Sequence, residues 1–378
     1  MQYYCLYEHS EAIGRALTDA PYQHRLIVVS NNLRYIFRDF STRQDPNTAP
    51  FSERKFMSFK FVFLPPTSER TRDLAAPLAA AVPEIEIVYC ETRADALAAL
   101  PGARACFGTL DPELLAAGSD LKWLAAPAAG PPKGYYFTEL IASDIVVTNF
   151  RGIFNDHISA HIMAFVLTLS RGMHRYFRDH FAGTWRQGGE SSPSTYLPES
   201  TALIIGIGGI GAETARQCKN WGMATIGLDP RVESSPTGVD ELHHPDALDR
   251  VLPRADFVIL TAPQTPNTEG LFTSAKFEQM KESAYFINIG RGSNVKLDDL
   301  DQALREGQIA GAALDVFEQE PLPEDHPLWT APNFLMTPHV AASGPYLEQR
   351  RQDLLVENCR RFANGEELAN IVDKEKWF

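Results

Sequence analysis

The stretch that decides the fold is "LIIGIGGIGAETARQCKNWG", Leu203 to Gly222. A short apolar run ends at Gly206, and Gly208 and Gly211 complete a G-x-G-x-x-G pattern that precedes a run of helix-forming residues. In such a turn the first glycine permits the tight bend, the second lets the backbone approach a bound group, and the third lets the helix pack closely on the strand. The N-terminal end of the helix favours a phosphate, because its free N–H groups and its dipole face the anion. The order of strand, glycine turn and helix therefore predicts a βαβ unit that binds the pyrophosphate of a dinucleotide.

The next predicted strand, "ATIGLD", ends at Asp229, 18 residues after Gly211. An acid at this place accepts hydrogen bonds from the ribose hydroxyls of adenosine and repels a 2′-phosphate. The sequence thus predicts NAD rather than NADP as the cofactor. Arg231 follows two residues later, and a cation there would tolerate a phosphate.

Strand-like and helical segments alternate along most of the chain. Between residues 60 and 149 the strand-like segments are "KFVFL", "IEIVYC", "ACFG", "LKWLAAP" and "DIVVTN". A Gly/Ser/Pro-rich linker, "TWRQGGESSPSTYLPES", precedes six more: "TALIIG", "MATIGLD", "DFVILT", "AYFINI", "IAGAALDV" and "NFLMTP". Such alternation predicts an α/β protein with two doubly wound parallel-sheet domains. From Tyr346 the chain is expected to form a final helix that ends near Gly365.

One helical run, "HISAHIMAFVLTLSRGMHRY" from His157 to Tyr176, is apolar almost all round, and Asn155 and Asp156 are expected to cap its start. A helix without a polar face has to be covered on every side, so it is predicted to lie between domains or in a subunit interface. His157 and His161 are four residues apart and share a face of this helix. With no third ligand in the pattern, no metal site is predicted.

Composition narrows the function classes. The 378 residues carry a formal charge of −13, which argues against a non-specific nucleic-acid binder or a protein that adheres to an anionic membrane. The five cysteines are odd in number and scattered, and no window of about 18 apolar residues predicts a membrane span. The N-terminus lacks the apolar segment of a signal peptide. We expect a reduced, cytoplasmic protein, with residues 1–56, rich in Tyr and Arg, as an N-terminal appendage outside the core.

Four charged or ionisable side chains that could take part in catalysis follow predicted strands of the second series. "NIGRG" supplies Arg291, "ALDVFEQEP" supplies Asp315 and Glu320, and "MTPHVAASG" supplies His339. Open α/β sheets bind their ligands at this edge. An arginine there can grip a carboxylate, a histidine can give a proton to a developing alkoxide, and a carboxylate can orient that histidine. A lone arginine between two glycines is usually only a solvated turn residue. Here Arg291, Glu320 and His339 follow successive strands of a domain that begins with a dinucleotide motif, and this combination favours an arginine that binds an anion.

These motifs resemble the D-isomer-specific 2-hydroxyacid dehydrogenase family, from about Phe59 to Asp373. The resemblance implies a flavodoxin-like substrate domain (57–154 and 346–378) into which a Rossmann NAD-binding domain (155–345) is inserted, and a homodimer formed through the latter. It implies Arg291, Glu320 and His339 as the catalytic set, and Arg291 with Ala129 and Gly130 of "APAAGPPKGYYF" as the substrate site. The implied cofactor residues are Gly206, Gly208, Ile210, Gly211, Asp229, Pro230, Arg231, Thr261, Ala262, Pro263, Thr268, Ile289, Gly290, Asp315 and His339.

The resulting interpretation is an NAD-dependent oxidoreductase that interconverts a small 2-keto acid and its D-2-hydroxy acid, with no nucleic-acid or membrane partner and no metal. Two alternatives share the fold: an NAD(H)-binding sensor or corepressor, and an oxidant of formate, which the acid–base pair disfavours. The keto acid itself stays open, since glyoxylate, hydroxypyruvate, pyruvate, phosphohydroxypyruvate or a bulky branched acid would each satisfy Arg291. Trp329 is either near the site or part of the core, and His243 and His244 are predicted to lie in a solvated loop.

Overall fold

The computed structural model describes residues 58–130, 132, 134–187, 194–231 and 233–376. The predicted N-terminal appendage, residues 1–56, lies outside these residues. Two parallel sheets organise the described chain, one of five strands and one of seven.

The first sheet comes from the first α/β series. Its strands are β1 (Phe59–Phe63), β2 (Ile85–Tyr89), β3 (Ala103–Phe107), β4 (Trp123–Ala125) and β5 (Val146–Thr148). Its helices are α1 (Glu69–Ala75), α2 (Leu78–Ala81), α3 (Arg93–Ala99), α4 (Pro112–Ala117) and α5 (Thr138–Ala142). Several of these helices begin where the sequence supplies a cap: Ser68 before α1, Thr92 before α3 and Asp111 before α4 each accept hydrogen bonds from the first turn. The strand order β2-β1-β3-β4-β5 is that of the flavodoxin-like fold.

Alternation along β1 explains why this sheet is buried on both faces. Phe61 and Phe63 point to one side, where Phe61 stacks on Trp123 at a centroid distance of 5.1 Å. Val62 points to the other side and joins Leu124 in a separate apolar cluster. A parallel sheet covered on both faces needs apolar side chains in both registers, which the continuous run "FKFVF" provides.

The second sheet begins after a helical pair, α6 (Asn155–Ser170) and α7 (Met173–Phe181). Its strands are β6 (Thr201–Ile205), β7 (Ala224–Leu228), β8 (Glu241–His243), β9 (Phe257–Leu260), β10 (Tyr285–Asn288), β11 (Gly311–Leu314) and β12 (Phe334–Met336). Its helices are α8 (Gly209–Asn220), α9 (Leu248–Val251), α10 (Ser274–Phe277) and α11 (Leu297–Arg305), and α12 (Leu347–Asn364) follows β12. The order β12-β11-β10-β9-β6-β7-β8 reverses direction between β6 and β9, which is the switch point where doubly wound sheets bind ligands.

The prediction of six strands in this sheet was wrong by one, because β8 pairs with the outer side of β7. His243 therefore lies in a strand and not in a loop. His244 follows it and caps a short 3₁₀ helix, Pro245–Ala247.

The prediction for the apolar helix also needs correction. Phe154 is the residue before α6, without a side-chain cap, so Asn155 and Asp156 lie within the first turn. The helix ends at Ser170, because Gly172 takes a left-handed conformation (φ 64°) before α7. Most of α6 is buried against α8 and the sheet, but a narrow stripe at Asp156, Ala160 and Ala164 stays exposed in the chain.

The chain passes between the two sheets twice, before α6 and before α12. Helix α12 ends at Gly365, in left-handed conformation, and packs against α1 and α2 of the first sheet. At its start, the Arg350 guanidinium binds both carboxylate oxygens of Asp156, at 2.7 and 2.8 Å, and donates to the Ile153 carbonyl. The two crossings are thus tied to each other. None of the helices in the described part of the chain is both long and apolar enough to span a membrane.

Candidate active site

The glycine-rich turn lies between β6 and α8, at the switch point of the second sheet. Gly206 has φ 98°, and a Cβ there would lie 2.8 Å from the backbone of Ala262. A Cβ on Gly211 would lie 2.0 Å from the Gly206 carbonyl oxygen. Both positions therefore require glycine, as the tight turn and the close helix packing predict.

Gly208 differs from these two, because the space beside it is open. The nearest atom to a Cβ built on Gly208 is Nη2 of Arg231, at 3.8 Å. Helix α8 begins at the next residue, with Ile210 in its first turn, so the free N–H groups of a twelve-residue helix face this space. The cradle fits the pyrophosphate of a dinucleotide, which needs both close backbone approach and a helix N-terminus.

Asp229 lies just past the end of β7 and is buried, with 5% of its surface exposed. Its carboxylate accepts the Ile207 N–H of the glycine turn at 2.9 Å and both Nε and Nη2 of Arg231 at 2.9 Å. Burial alone would raise the pKa of Asp229, but the hydrogen bonds from Arg231 bring that pKa below its ordinary value. The pair of Asp229 and Arg231 holds the glycine turn and places a guanidinium at the predicted ribose site. Pro230, between the two residues in sequence, is exposed.

The loop after β9 forms the facing wall. The Thr261 hydroxyl donates to the Gly206 carbonyl at 2.6 Å, which ties this loop to the glycine turn. The Thr268 hydroxyl donates to the Pro263 carbonyl at 2.7 Å and so closes the loop on itself. Ala262, Ile289 and Gly290 are buried behind this wall, and a Cβ on Gly290 would lie 2.4 Å from the Ala262 carbonyl oxygen.

Arg291 follows β10, and a buried asparagine fixes its backbone. Asn288 accepts the Gly290 N–H and donates its own amide to the Arg291 carbonyl, both at 3.0 Å. The Arg291 guanidinium donates from Nη1 to the Gly290 carbonyl at 2.7 Å and from Nη2 to the Gly130 carbonyl at 3.0 Å. Burial lowers the pKa of Arg291, while the negative charge of Glu320 acts in the opposite direction. Arg291 thus reaches from the second sheet to the loop after β4.

That loop carries both predicted substrate residues. The Ala129 carbonyl accepts the amide of Asn149 at 3.0 Å, which anchors the loop to the end of β5. Gly130 lies directly against Arg291, since a Cβ built there would be 1.9 Å from Nη2. The structure therefore brings Ala129, Gly130 and Arg291 to one cleft between the two sheets.

His339 and Glu320 are hydrogen-bonded to each other beside this cleft. Nδ1 of His339 lies 2.7 Å from Oε2 of Glu320, and the other oxygen, Oε1, accepts the Phe317 N–H at 2.9 Å. An ionised carboxylate only accepts, so Nδ1 carries a hydrogen and Nε2 is left to give or take a proton. The pair is half-exposed, so that a small ligand has access to the imidazole.

Asp315 is 2% exposed and holds the segment that bears His339. Its carboxylate accepts the N–H groups of Val340 and Ala341, both at 2.9 Å, and the hydroxyl of Thr337 at 2.5 Å. Its backbone carbonyl accepts the His339 N–H at 2.8 Å. Asp315, which the family resemblance implies as a cofactor residue, is therefore also the anchor of the histidine.

Comparison with known proteins decides the family. The model of the D-isomer specific 2-hydroxyacid dehydrogenase NAD binding domain matches residues 163–341. A glyoxylate reductase from Thermofilum pendens is 31% identical over 269 residues, which make up 70% of this chain and 79% of that protein. The chain belongs to the D-isomer-specific 2-hydroxyacid dehydrogenase family.

Solved structures of relatives share the whole described architecture. A D-isomer specific 2-hydroxyacid dehydrogenase family protein from Aeromonas salmonicida superposes with a TM-score of 0.68 at 30% identity, over 84% of this chain and 99% of that one. An NADPH-dependent glyoxylate/hydroxypyruvate reductase from Sinorhizobium meliloti, in complex with NADP and sulfate, gives a TM-score of 0.71 at 27% identity, over 85% and 100%. As a member of this dehydrogenase family, the chain is an NAD(P)-dependent oxidoreductase with a Rossmann domain.

For this dehydrogenase the structure also corrects one alternative and adds residues that the sequence did not reveal. Trp329 is 51% exposed and donates its indole N–H to the Pro323 carbonyl, so it is not part of the core. Asn288, Asn149 and Thr337 hold functional loops. Their only signal is position, since each is a polar residue at the end of an observed strand or directly after it. The two helical histidines do not meet a third ligand, and no metal-binding group of three His, Cys, Asp or Glu occurs among the described residues.

Proposed function

We propose that this dehydrogenase reduces a small 2-keto acid to its D-2-hydroxy acid, reversibly, with NADH as the preferred cofactor. The observation that carries the proposal is the position of Arg291. Its guanidinium reaches Gly130 across the cleft. Glu320, the partner of His339, lies close enough that its negative charge acts to raise the pKa of Arg291. A cation and an acid–base pair on opposite sides of one small ligand are what a 2-keto acid requires.

In this proposal each residue has one task. Arg291 binds the substrate carboxylate and polarises the neighbouring carbonyl, because its planar guanidinium matches a pair of oxygens. His339 gives the proton from Nε2 to the alkoxide oxygen as it forms, and takes it back in the reverse direction. Glu320 keeps Nδ1 protonated and holds the ring in place. When bound, the nicotinamide supplies or accepts the hydride.

Asp229 supports the preference for NADH, because a buried carboxylate at the ribose site disfavours a 2′-phosphate. Arg231 pairs with that carboxylate and weakens this discrimination. Some NADPH use is therefore expected, as in the S. meliloti relative.

The relatives support a small substrate. The T. pendens protein is named a glyoxylate reductase, and the S. meliloti protein a glyoxylate/hydroxypyruvate reductase. We propose a keto acid of that size, and the loop from Ala129 to Gly130 as the wall that limits it.

We further propose a cytoplasmic homodimer that forms through the α6–α7 region. Helix α7 and the residues after it expose an unusual set of aromatic side chains: Phe177 (48%), Phe181 (84%) and Trp185 (95%). A patch of this kind favours burial against a second protein surface. Light scattering of the purified protein tests the dimer, with Phe181→Glu as the disrupting variant, and cell fractionation tests the location.

The decisive experiment follows the oxidation of NADH, and separately NADPH, by the purified protein with a panel of 2-keto acids. The panel contains glyoxylate, hydroxypyruvate, pyruvate, phosphohydroxypyruvate and a bulky branched acid. His339→Asn should abolish turnover, whereas His244→Asn, at an exposed histidine of the 3₁₀ cap, should not. If NADH binds but no keto acid is turned over, the sensor interpretation replaces the enzyme.

A further inference from the structure

The histidines of α6, His157 and His161, have no part in the chemistry proposed above, yet both contact the segment that carries His339. We propose that His161 is a positioning residue that fixes His339 through the Thr337 hydroxyl and the Asp315 carboxylate. The inference rests on the proposed function of His339 and extends it to a helix on the far side of the segment.

Successive hydrogen bonds connect the side chains of His161, Thr337 and Asp315. Nε2 of His161 lies 2.9 Å from Oγ1 of Thr337, and the same Oγ1 lies 2.5 Å from Oδ1 of Asp315. A threonine hydroxyl has one hydrogen, and an ionised carboxylate can only accept. The hydroxyl therefore donates to Asp315, and His161 has to donate to the hydroxyl from a protonated Nε2. The geometry assigns the tautomer of His161.

Asp315 passes this constraint to the backbone at His339 and at the two residues that follow it. It accepts the N–H groups of Val340 and Ala341 through its side chain, and that of His339 through its carbonyl. His339 has φ 54°, in the left-handed region that L-residues rarely adopt. A backbone in this conformation persists only when its surroundings hold it there, so the bonds of Asp315 determine where the imidazole points.

His157, one helical turn before His161, contacts the far end of the same segment. Its Nε2 lies 3.1 Å from the Pro345 carbonyl, and Gly344 packs on its ring so closely that a Cβ there would lie 2.4 Å from the imidazole. The face of α6 that carries both histidines thus packs against the segment from Thr337 to Pro345. These contacts account for the i, i+4 spacing of the two histidines without a metal ion.

Loss of this support should slow the chemical step and leave cofactor binding intact. Displacement of a reacting group by about 1 Å costs on the order of 10²-fold in rate. We therefore expect His161→Leu and Thr337→Val each to lower kcat by roughly 10- to 100-fold. The Kd of NADH, measured by its fluorescence, should stay within about twofold of the wild-type value, since the glycine turn and Asp229 lie at other strands.

Conservative variants and a double-mutant cycle separate positioning from simple packing. Thr337→Ser keeps the hydroxyl and His161→Gln keeps an N–H donor, so both should recover most of kcat. The double variant His161→Leu/Thr337→Val should lose no more than the worse single variant, because both remove the same hydrogen bond. Additive losses, or no recovery in the conservative variants, would overturn the proposal.

A measurement without turnover distinguishes this proposal from the function it rests on. Long-range ¹H–¹⁵N spectra of ¹⁵N-histidine-labelled protein at pH 8 report which imidazole nitrogen carries the hydrogen. His161, identified by its absence in His161→Gln, should show a protonated Nε2, and Thr337→Val should shift the His339 signals. A protonated Nδ1 on His161, or unmoved His339 signals, refutes the linkage. If the wild-type protein turns over no keto acid while both spectral results hold, the positioning stands and the proposed function fails.

Discussion

The contact between Gly130 and Arg291 gives the sharpest prediction of the proposed mechanism. In Gly130→Ala the new Cβ would lie 1.9 Å from Nη2 of Arg291, where real contacts of this kind do not fall below 3.0 Å. Nη2 has to move by more than 1 Å. Because it is the far end of a flexible side chain, the guanidinium gives way and the fold does not. The variant should therefore fold normally with a displaced clamp.

The size of the effect follows from the bond that is lost. A misplaced guanidinium forfeits a charge-assisted hydrogen bond to the substrate carboxylate, which is worth about 1.5–3 kcal/mol. That corresponds to a loss of roughly 10- to 150-fold in kcat/KM for the keto acid. The Kd of NADH should not change, since Gly130 lies in the other half of the cleft from the glycine turn.

Steady-state kinetics with the active keto acid and fluorescence titration with NADH measure the two quantities. Arg291→Ala provides the reference for complete loss of the clamp, and Gly130→Ala in that background provides the control. If Gly130 acts only through Arg291, its substitution should cost almost nothing once the arginine is gone. A loss of tenfold or more in the Arg291→Ala background, or an undiminished kcat/KM for Gly130→Ala alone, would refute the reasoning.

Three more predictions use other contacts. Glu320→Gln should lower kcat by about 10²-fold or more, because the catalytic imidazole loses the carboxylate that holds it, and the Kd of NADH should be unchanged; near-normal kcat would exclude this role. Arg231→Ala should weaken NADPH binding about tenfold or more. NADH binding should stay equal or become tighter, because the Asp229 carboxylate no longer pairs with Arg231 and can bind the ribose. Titration with both cofactors measures the two affinities, and loss of NADH binding would contradict the prediction. The hydrogen bond from Arg350, with its positive charge, lowers the pKa of Asp156. This half-exposed pair should contribute only slightly to stability, because solvent screens exposed ion pairs. That contribution is present above the ordinary aspartate pKa and is lost as the pH falls below about 4. The Tm of Asp156→Asn should therefore lie slightly below that of wild type from pH 5 to 8 and meet it in acid, and a gap that widens in acid would reverse the sign.

The fold could be predicted because its information is local. Each strand that was predicted is a largely apolar run between turn residues. Such a run is expected because a strand that is buried on both faces needs apolar side chains at successive positions. Strand β8 was missed for the same reason. Its three residues, Glu241 to His243, lie at the edge of the sheet with a single neighbour, so no apolar run marks them. The break between α6 and α7 at Gly172 was missed because an isolated glycine within a helical pattern does not by itself mark a helix end.

The candidate site could be predicted only in part, since its residues come from several strand ends. That Arg291, Asp315, Glu320 and His339 gather at one edge follows from parallel pairing alone. Their partners do not follow from it. Gly130 and Arg291 are 161 positions apart, and they meet only because the loop after β4 lies against the residues that follow β10.

The two-domain construction of the cleft has an electrostatic consequence. Two donors of Arg291 are bound to the neutral carbonyls of Gly290 and Gly130, and partial burial of the guanidinium disfavours its charge and lowers its pKa. Neutral acceptors satisfy the hydrogen bonds but not the charge, because a buried cation is stabilised fully only by an anion. Glu320 supplies part of that compensation, but it is also engaged by His339 and the Phe317 N–H. Under the proposed function, a carboxylate that enters the cleft should therefore gain more at Arg291 than a neutral carbonyl compound of the same shape, and we expect the site to favour keto acids for this reason.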